Sequence, residues 1–122
     1  LFIDLDHFKP INDQLGHAAG DLVLKAVADR ILGIIRESDT AARIGGDEFV
    51  VLLRNTHGRE DAANVAQKIA RAIAQPLALG GQGVSVSASI GIAIYPEDGA
   101  DVTTLSKSAD QAMYRVKQNA RA

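Results

Sequence analysis

The chain has 122 residues, of which 47% are hydrophobic and 23% are charged, and this balance is typical of one globular domain with one core. The formal net charge of −2 does not favour a protein that binds nucleic acid or a membrane surface, because such proteins carry clustered basic residues. The absence of cysteine excludes a disulfide framework and a thiol nucleophile, and no apolar run approaches the roughly 20 residues of a transmembrane helix.

The first half of the chain predicts a strand, a helix and a hairpin. Residues 1–6 are short, apolar and interrupted by acids, which is typical of a buried strand that ends at a site. After Gly20, apolar residues recur at helical spacing and predict a helix that ends near residues 37–38. The apolar stretches 41–44 and 49–53 flank two glycines and predict a β-hairpin.

The second half predicts a helix, a strand and a last helix. Residues 58–75 have helical spacing, and Pro76 ends this helix. A turn over residues 80–83 precedes a strand whose apolar side chains alternate through residues 84–94, and residues 102–116 predict the last helix. The whole order predicts an α/β (α+β) fold with a ferredoxin-like or palm βαββαβ core, in which helices flank a mixed, mostly antiparallel sheet.

Acidic residues collect at the end of the first strand and at the hairpin turn. Asp4 lies in the strand, and Asp47 and Glu48 follow the turn glycines. Neighbouring carboxylates repel each other unless a cation lies between them, and their oxygens suit Mg²⁺, which completes its shell with waters and substrate phosphates. Two such ions can activate a hydroxyl and stabilise a leaving pyrophosphate. Without further context, residues 45–48 are equally typical of a polar hairpin turn, and Asp4 or Asp6 of a helix cap.

A second polar cluster lies between the first strand and the first helix. Asn12 and Asp21 bracket a glycine-containing segment, residues 16–20. An amide and a carboxylate together offer the donors and acceptors that pair with a guanine edge. The same residue types beside glycine also cap helices and shape turns, so both interpretations stay open at this point.

The ordered set of motifs resembles the GGDEF family of diguanylate cyclases. The matching segments, which cover nearly the whole chain, are DLDHFKPIND at residues 4–13, Gly16 with His17, Gly20 with Asp21, RIGGDEF at 43–49, SIGIA at 89–93 and ADQAMYRVK at 109–117. The resemblance implies a fold related to the catalytic domains of nucleotide cyclases. It also implies a reaction in which two domains, each holding one GTP, meet face to face. The 3′-hydroxyl of each GTP attacks the α-phosphate of the other, and the products are cyclic di-GMP and pyrophosphate.

The resemblance also implies roles for residues at the matching positions. Asp4, Asp47 and the backbone carbonyl of Leu5 correspond to ligands of Mg²⁺ or Mn²⁺. Asp47 and Glu48 correspond to the catalytic acids, and Glu48 either assists a metal or deprotonates the 3′-hydroxyl. The substrate-binding positions are Phe8 and Lys9 at the phosphates, Asn12 and Asp21 at the guanine, Gly45 and Gly46 at the turn, and Lys117 and Arg121 at the phosphates.

Residues 36–39, with the sequence RESD, match the family's RxxD product-inhibition site in their position before the signature glycines. The resemblance implies that Arg36 binds cyclic di-GMP through its phosphate and guanine and that Asp39 binds a guanine edge. Without the resemblance, the same four residues are typical of a solvated helix end.

Two features depart from the family pattern. The family carries a further segment before this first strand, and its last-helix motif has glycine where this chain has Ala120. Since the chain also begins on Leu1 rather than on methionine, we expect residues 1–122 to form a single domain that is an N-terminally truncated fragment of a larger protein. The resemblance implies a cytoplasmic domain without membrane or nucleic-acid contact. Its parent would carry an N-terminal sensory or receiver domain, and some parents a C-terminal EAL domain or a membrane anchor.

Three functions remain open from the sequence. The first is an active cyclase that works as a homodimer of GGDEF domains and is inhibited by its product. The second is a catalytically weak domain that binds GTP or cyclic di-GMP and regulates an attached EAL phosphodiesterase, because residues 91–99 resemble the version common in GGDEF–EAL hybrids. The third is a different palm-type nucleotidyl transferase, against which the intact signature and the guanine-binding pair argue.

Overall fold

The structure is a computed structural model that describes residues 1–79 and 82–121, without the side chains of residues 82, 120 and 121. The elements in chain order are β1 (Phe2–Asp6), α1 (Phe8–Leu15), α2 (His17–Leu32), β2 (Thr40–Gly45), β3 (Glu48–Leu52), α3 (Arg59–Ile73), β4 (Leu77–Leu79), β5 (Gln82–Val84), β6 (Ser87–Gly91) and α4 (Val102–Arg121). None of the helices described is long and apolar enough to cross a membrane. Two glycines of the predicted 80–83 turn, Gly80 and Gly81, lie outside the described residues.

The main sheet has four strands in the order β2-β3-β1-β6, and each pairing is antiparallel. β1 lies between β3 and β6, so that β1 and β2 run parallel to each other with β3 inserted between them. This is the split βαβ arrangement of the ferredoxin-like plan. The predicted βαββαβ core and its mostly antiparallel sheet are therefore confirmed.

One face of the sheet packs against α2 and α3. Alternation along β1 turns Ile3 and Leu5 into this core, and both are 1% exposed. The buried residues that complete the core cluster are Val23, Val27, Ile31, Phe49, Val51, Ile69, Ile73 and Val86. The apolar faces of the two helices thus pack into one continuous core.

The opposite face of the sheet carries α4. The backbone of Gly91 in β6 lies so close to this helix that a Cβ there would be 2.1 Å from the carbonyl oxygen of Ala109 and 2.3 Å from the amide nitrogen of Met113. Since side chains alternate along β1, Asp4 and Asp6 point to the same face as α4. The acids of β1 are therefore placed under the last helix.

The helices of the first half differ from the sequence predictions. α1 was not predicted, because an eight-residue helix is too short for its periodicity to be distinctive. α2 ends at Leu32 instead of near residues 37–38, since Gly33 follows and the next residues form a turn in which Ile34 and Ile35 donate to the carbonyl of Ile31. Ile35 packs on the core from that turn, which imitates the helical spacing.

The long strand predicted over residues 84–94 is divided. β6 covers only Ser87–Gly91, and β5 pairs with β4 in a separate two-stranded sheet. Ile94 is not in the ladder because the Asp98 carboxylate accepts its N–H at 2.8 Å and its carbonyl accepts the N–H of Asp98 at 2.7 Å. A local turn thus replaces sheet hydrogen bonds at the end of this segment.

Candidate active site

The hairpin tip lies beside the first strand. Asp4 in β1 is directly opposite Glu48 in β3, and the N–H of Leu5 donates to the carbonyl oxygen of Asp47 at 3.1 Å. The turn glycines stand where the hairpin requires them: Gly45 ends β2, and Gly46 has a φ of 43°, in the left-handed region that favours glycine. The fold therefore brings the predicted acids of β1 and the hairpin to one place.

Burial and neighbouring acids raise the pKa values of Asp4 and Glu48. Burial raises the pKa of Asp4, the charge of Asp47 raises it further, and the contact with Lys117 only partly offsets both. Burial also raises the pKa of Glu48, to which the charges of Asp4, Asp47 and Asp110 add. The cluster thus holds its negative charge at a cost in free energy, and a cation would lower that cost.

Lys117 of α4 supplies the positive charge next to this cluster. Its Nζ lies 3.1 Å from Oδ2 of Asp4 and 3.4 Å from Oδ1 of Asp6, and its side chain is 19% exposed. Burial alone would lower the pKa of Lys117, but the hydrogen bond to Asp4 and the two carboxylate charges raise it overall. The predicted phosphate-binding lysine therefore lies at the predicted metal-binding acid.

The donor atoms at the hairpin fit a hard cation. Asp4 and Asp47 offer carboxylate oxygens, and Leu5 offers a backbone carbonyl, which are the ligand types that Mg²⁺ prefers. Within residues 1–79 and 82–121, no three His, Cys, Asp or Glu side chains converge as a ready ligand set. A site built from two carboxylates and a carbonyl would leave the remaining positions to waters and substrate phosphates, as Mg²⁺ sites commonly do.

The predicted guanine-binding residues flank the contact between α1 and α2. A Cβ on Gly20 would lie 2.2 Å from Oδ1 of Asn12, so a larger residue there would displace the Asn12 amide from this position. Nδ2 of Asn12 is 3.2 Å from Nδ1 of His17. Asp21 is exposed within α2, where it does not act as the N-cap, and it lines a cavity of about 310 Å³ whose wall includes Arg43. Asn12 does not line that cavity, but its side chain lies against Gly20, which directly precedes Asp21.

The predicted phosphate residues lie at the start of α1. Phe8 begins the helix and packs its ring against the core, whereas Lys9 is exposed in the first turn. The first N–H groups of a helix have no partner within the helix, so they are able to bind an anion. The side chain of Arg121 lies outside the described residues, so its predicted phosphate contact stays a prediction.

The residues of the predicted product site have unequal environments. The Asp39 side chain is 2% exposed, and its two oxygens accept the N–H groups of Arg36 and Arg54, each at 2.9 Å. The Arg36 side chain is 61% exposed and donates to the carbonyl of Arg54 at 2.8 Å. Asp39 thus fixes the loop, and Arg36 is the member of the pair that solvent reaches.

Asp6, Ser87 and Ser89 also lie at this site, although no sequence motif placed them there. The Asp6 carboxylate does not cap α1; it accepts the hydroxyl of Ser87 at 3.0 Å and that of Ser89 at 2.9 Å. Ser87 and Ser89 are two residues apart in β6, so they lie on one face of the sheet. This spacing was the available sequence signal for their part in the site. The partner strand and register could not be read from it.

Comparison with known proteins gives the same family. The family model described as diguanylate cyclase, GGDEF domain, matches residues 1–122. The chain is 52% identical to the diguanylate cyclase TpbB of Pseudomonas aeruginosa, over 99% of this chain and 28% of that protein. It is 50% identical to MucR of the same organism, a bifunctional diguanylate cyclase/cyclic di-GMP phosphodiesterase, over 99% of this chain and 18% of that protein. The chain thus spans less than a third of the length of either relative.

Solved structures agree with the family model. The GGDEF domain of TpbB superposes with a TM-score of 0.93 at 50% identity, over 97% of this chain and 74% of that chain. The GGDEF domain of DgcB from Caulobacter crescentus, which was solved in complex with cyclic di-GMP, has a TM-score of 0.84 at 28% identity, over 97% of this chain and 70% of that chain. The chain therefore belongs to the GGDEF family of diguanylate cyclase domains.

Proposed function

We propose that this domain condenses two molecules of GTP into cyclic di-GMP and releases pyrophosphate. The observation that carries the proposal is the intact signature at the hairpin tip, where Asp47 and Glu48 lie beside Asp4 and the pKa values of Asp4 and Glu48 are raised. A cluster of acids kept together at a cost is typical of a site that is completed by cations. The names of the relatives support the same activity.

The residues of the chain would bind and orient the nucleotide. Asp4, Asp47 and the carbonyl of Leu5 would hold Mg²⁺ or Mn²⁺, which when bound neutralises phosphate charge and activates the attacking hydroxyl. Phosphates would lie between the start of α1, with Lys9, and the ammonium of Lys117. Asn12 and Asp21 would select guanine through its donor and acceptor edge.

A second copy of the domain completes the reaction. The 3′-oxygen of one GTP forms a bond to the α-phosphorus of the other, and the bond from that phosphorus to the oxygen bridging to the β-phosphate breaks. The hydroxyl proton leaves to a base, for which Glu48 is a candidate, or Glu48 assists a metal. Pyrophosphate departs with the bonding electrons, and the same step on the other side closes the ring. Catalysis here depends on positioning and charge neutralisation, so two domains must face each other.

Product inhibition would use the exposed guanidinium of Arg36. Arginine suits this role because its planar donors bind phosphate or guanine in pairs. The cyclic di-GMP complex of DgcB supports a product-binding role within the family. In this chain Asp39 would act mainly by holding the loop that presents Arg36, since both of its oxygens already accept backbone N–H groups.

The test is product analysis with the full-length parent protein, GTP and Mg²⁺. We expect cyclic di-GMP from the parent and none above background from Asp47→Ala. Asp29→Asn, which removes an exposed carboxyl near the end of α2, should retain activity. Failure of the parent to form cyclic di-GMP, while a known diguanylate cyclase does so in the same assay, would refute the proposal.

A regulatory role is the second candidate, and one relative favours it. MucR combines diguanylate cyclase and cyclic di-GMP phosphodiesterase functions in one protein, so a domain of this type can occur together with a phosphodiesterase. In that case the domain would bind GTP or cyclic di-GMP and change the activity of the attached enzyme. Calorimetry that detects nucleotide binding without turnover, together with phosphodiesterase activity that responds to GTP, would favour this candidate.

A further inference from the structure

The Asp6 carboxylate has no role in the proposed reaction, yet it has three polar neighbours. Asp6 ends β1, two residues after the predicted metal ligand Asp4, and points to the same face of the sheet. Ser87 Oγ donates to Asp6 Oδ2 at 3.0 Å, and Ser89 Oγ lies 2.9 Å from Oδ1 and 3.2 Å from Oδ2. Lys117 Nζ lies 3.4 Å from Oδ1.

The strand register builds this arrangement. In the antiparallel β1–β6 pair, Asp6 is directly opposite Ser87 and Asp4 is directly opposite Ser89. Directly opposite and diagonal side chains on one face of a sheet are close enough to interact. Both serines therefore reach Asp6 from the neighbouring strand, and they fix the plane of its carboxylate.

Burial makes the hydrogen bond between Ser89 and Asp6 costly to break. The side chain of Ser89 is among the fully buried ones, and the residue is 1% exposed. A buried hydroxyl without a partner loses its solvation without compensation, so the bond between Ser89 and Asp6 is maintained. An acid oriented in this way presents its remaining hydrogen-bonding capacity to Lys117, which packs over it from α4.

We propose that Asp6, oriented by Ser87 and Ser89, is a positioning residue that holds the ammonium of Lys117 where the nucleotide phosphates bind. The proposal rests on the proposed function for one point, namely that phosphates lie at this edge of the sheet. Asp6 would touch neither the substrate nor the metal, and would act through Lys117.

The free energy of binding gives a reason for such an anchor. A lysine has a flexible four-carbon stem and loses rotamer entropy when it is fixed. A lysine that is already fixed before the nucleotide arrives does not pay this cost on binding. Asp4 cannot be the sole anchor, because in the proposed function it also binds a cation, whereas Asp6 remains available to Lys117 throughout.

A double-mutant cycle in the full-length parent protein tests the proposal. The variants are Ser89→Ala, Lys117→Met and their combination, and the measured quantity is the Kd of a non-hydrolysable GTP analogue with Mg²⁺. Loss of one hydrogen bond should weaken binding by roughly 3- to 10-fold in Ser89→Ala. In the Lys117→Met background the same change should have almost no further effect, because the residue through which it acts is gone.

Two further variants separate positioning from folding. Ser87→Ala removes an exposed hydroxyl that donates to the same carboxylate, so it should give a smaller loss that also vanishes in the Lys117→Met background. Ser85→Ala, at an exposed serine two residues earlier, is the matched control and should leave the Kd unchanged. The unfolding midpoint without nucleotide reports any structural damage separately.

The outcomes distinguish this inference from the proposed function. Equal losses in both backgrounds would mean that the serines act independently of Lys117, and would overturn the inference even if cyclic di-GMP is formed. A coupled cycle in a protein that binds the analogue without forming cyclic di-GMP would support the inference and refute the cyclase activity. Absence of analogue binding would overturn both.

Discussion

Asp39 and Asp4 both lie beside a basic side chain, but the fold shifts their pKa values in opposite directions. Burial would raise the pKa of Asp39, yet the N–H groups of Arg54 and Arg36 and the guanidinium of Arg36 lower it overall. Burial raises the pKa of Asp4, and the nearby Asp47 charge prevents Lys117 from reversing the shift. A carboxylate bonded to backbone N–H groups stabilises the fold when it is ionised, whereas one beside other acids does not, and the proposed function assigns that acid to a cation.

The largest expected effect follows from removing the charge of Asp4. Asp4→Asn should lower the rate of cyclic di-GMP synthesis by roughly 10²- to 10³-fold, the range typical for loss of a group that stabilises charge in a reaction. The unfolding free energy should change little, because the substitution also relieves repulsion with Asp47 and Glu48. Initial rates and denaturant unfolding of the parent protein check both parts, and a large loss of stability would contradict the contrast with Asp39.

The next largest effect is expected at Arg36, the exposed member of the Arg36–Asp39 pair. Arg36→Ala should weaken product inhibition by roughly 10- to 100-fold, since hydrogen bonds to a charged group contribute about 1.5–3 kcal/mol. Stability should change by about 1 kcal/mol or less, because the side chain is 61% exposed.

Inhibition by added cyclic di-GMP is the measurement for this variant. Arg71→Ala, at an exposed arginine in the last turn of α3, is the matched control and should be inhibited like the wild type. Unchanged inhibition of Arg36→Ala would assign the product site elsewhere.

A smaller effect is expected at Asp39, the buried member of the Arg36–Asp39 pair. Asp39→Asn should destabilise the domain by about 1–3 kcal/mol, because an amide has only one oxygen to accept two backbone N–H groups and its NH₂ opposes the other donor. Hydrogen exchange should become faster at the amides of Arg36 and Arg54. If exchange there is unchanged while inhibition is lost, Asp39 contacts the ligand directly and does not act through the loop.

Much of the fold was predictable because the periodicities are local. The apolar run of β1, the paired glycines of the hairpin and the helical spacing of α2 and α3 each lie within one segment, and β1, both hairpin strands, α2 and α3 are present. The errors arose where the apolar spacing continues past the end of a helix or strand. Ile35 packs on the core from a turn, and Asp98 takes Ile94 out of the strand.

The candidate site was predictable where family motifs mark its residues. Asp4, Asp47 and Glu48 were identified from acid placement and family resemblance together, and their proximity follows from the β1–β3 register. The link from Ser89 to Asp6 spans 83 positions and depends on the β1–β6 register, which side-chain alternation does not determine. The pairing of Asp39 with the backbone of Arg54 is equally non-local, so the sequence motif alone could not separate loop support from ligand binding.

The smallest expected effect is on the pH dependence of stability, and it has opposite signs for the two acids. The pKa of Asp39 is lowered from 3.8, so its ionised form stabilises the fold above that pH, and this contribution is lost as the pH falls through the lowered pKa. The pKa of Asp4 is raised from 3.8, so the folded domain binds its proton more tightly than the unfolded chain does. Stability due to Asp4 therefore falls as the pH rises from 3.8 through the raised value.

Denaturant unfolding of the parent protein at a series of pH values would measure both slopes, with hydrogen exchange of α2 and β3 reporting on this domain. Asp39→Asn should remove part of the stability loss below pH 3.8, and Asp4→Asn should remove part of the loss above it. Asp29→Asn, at an exposed site, should leave the curve unchanged. If Asp39→Asn and Asp4→Asn changed the slope in the same direction, the two carboxylates could not have opposite roles, because proton linkage fixes the sign of each slope from the direction of its pKa shift.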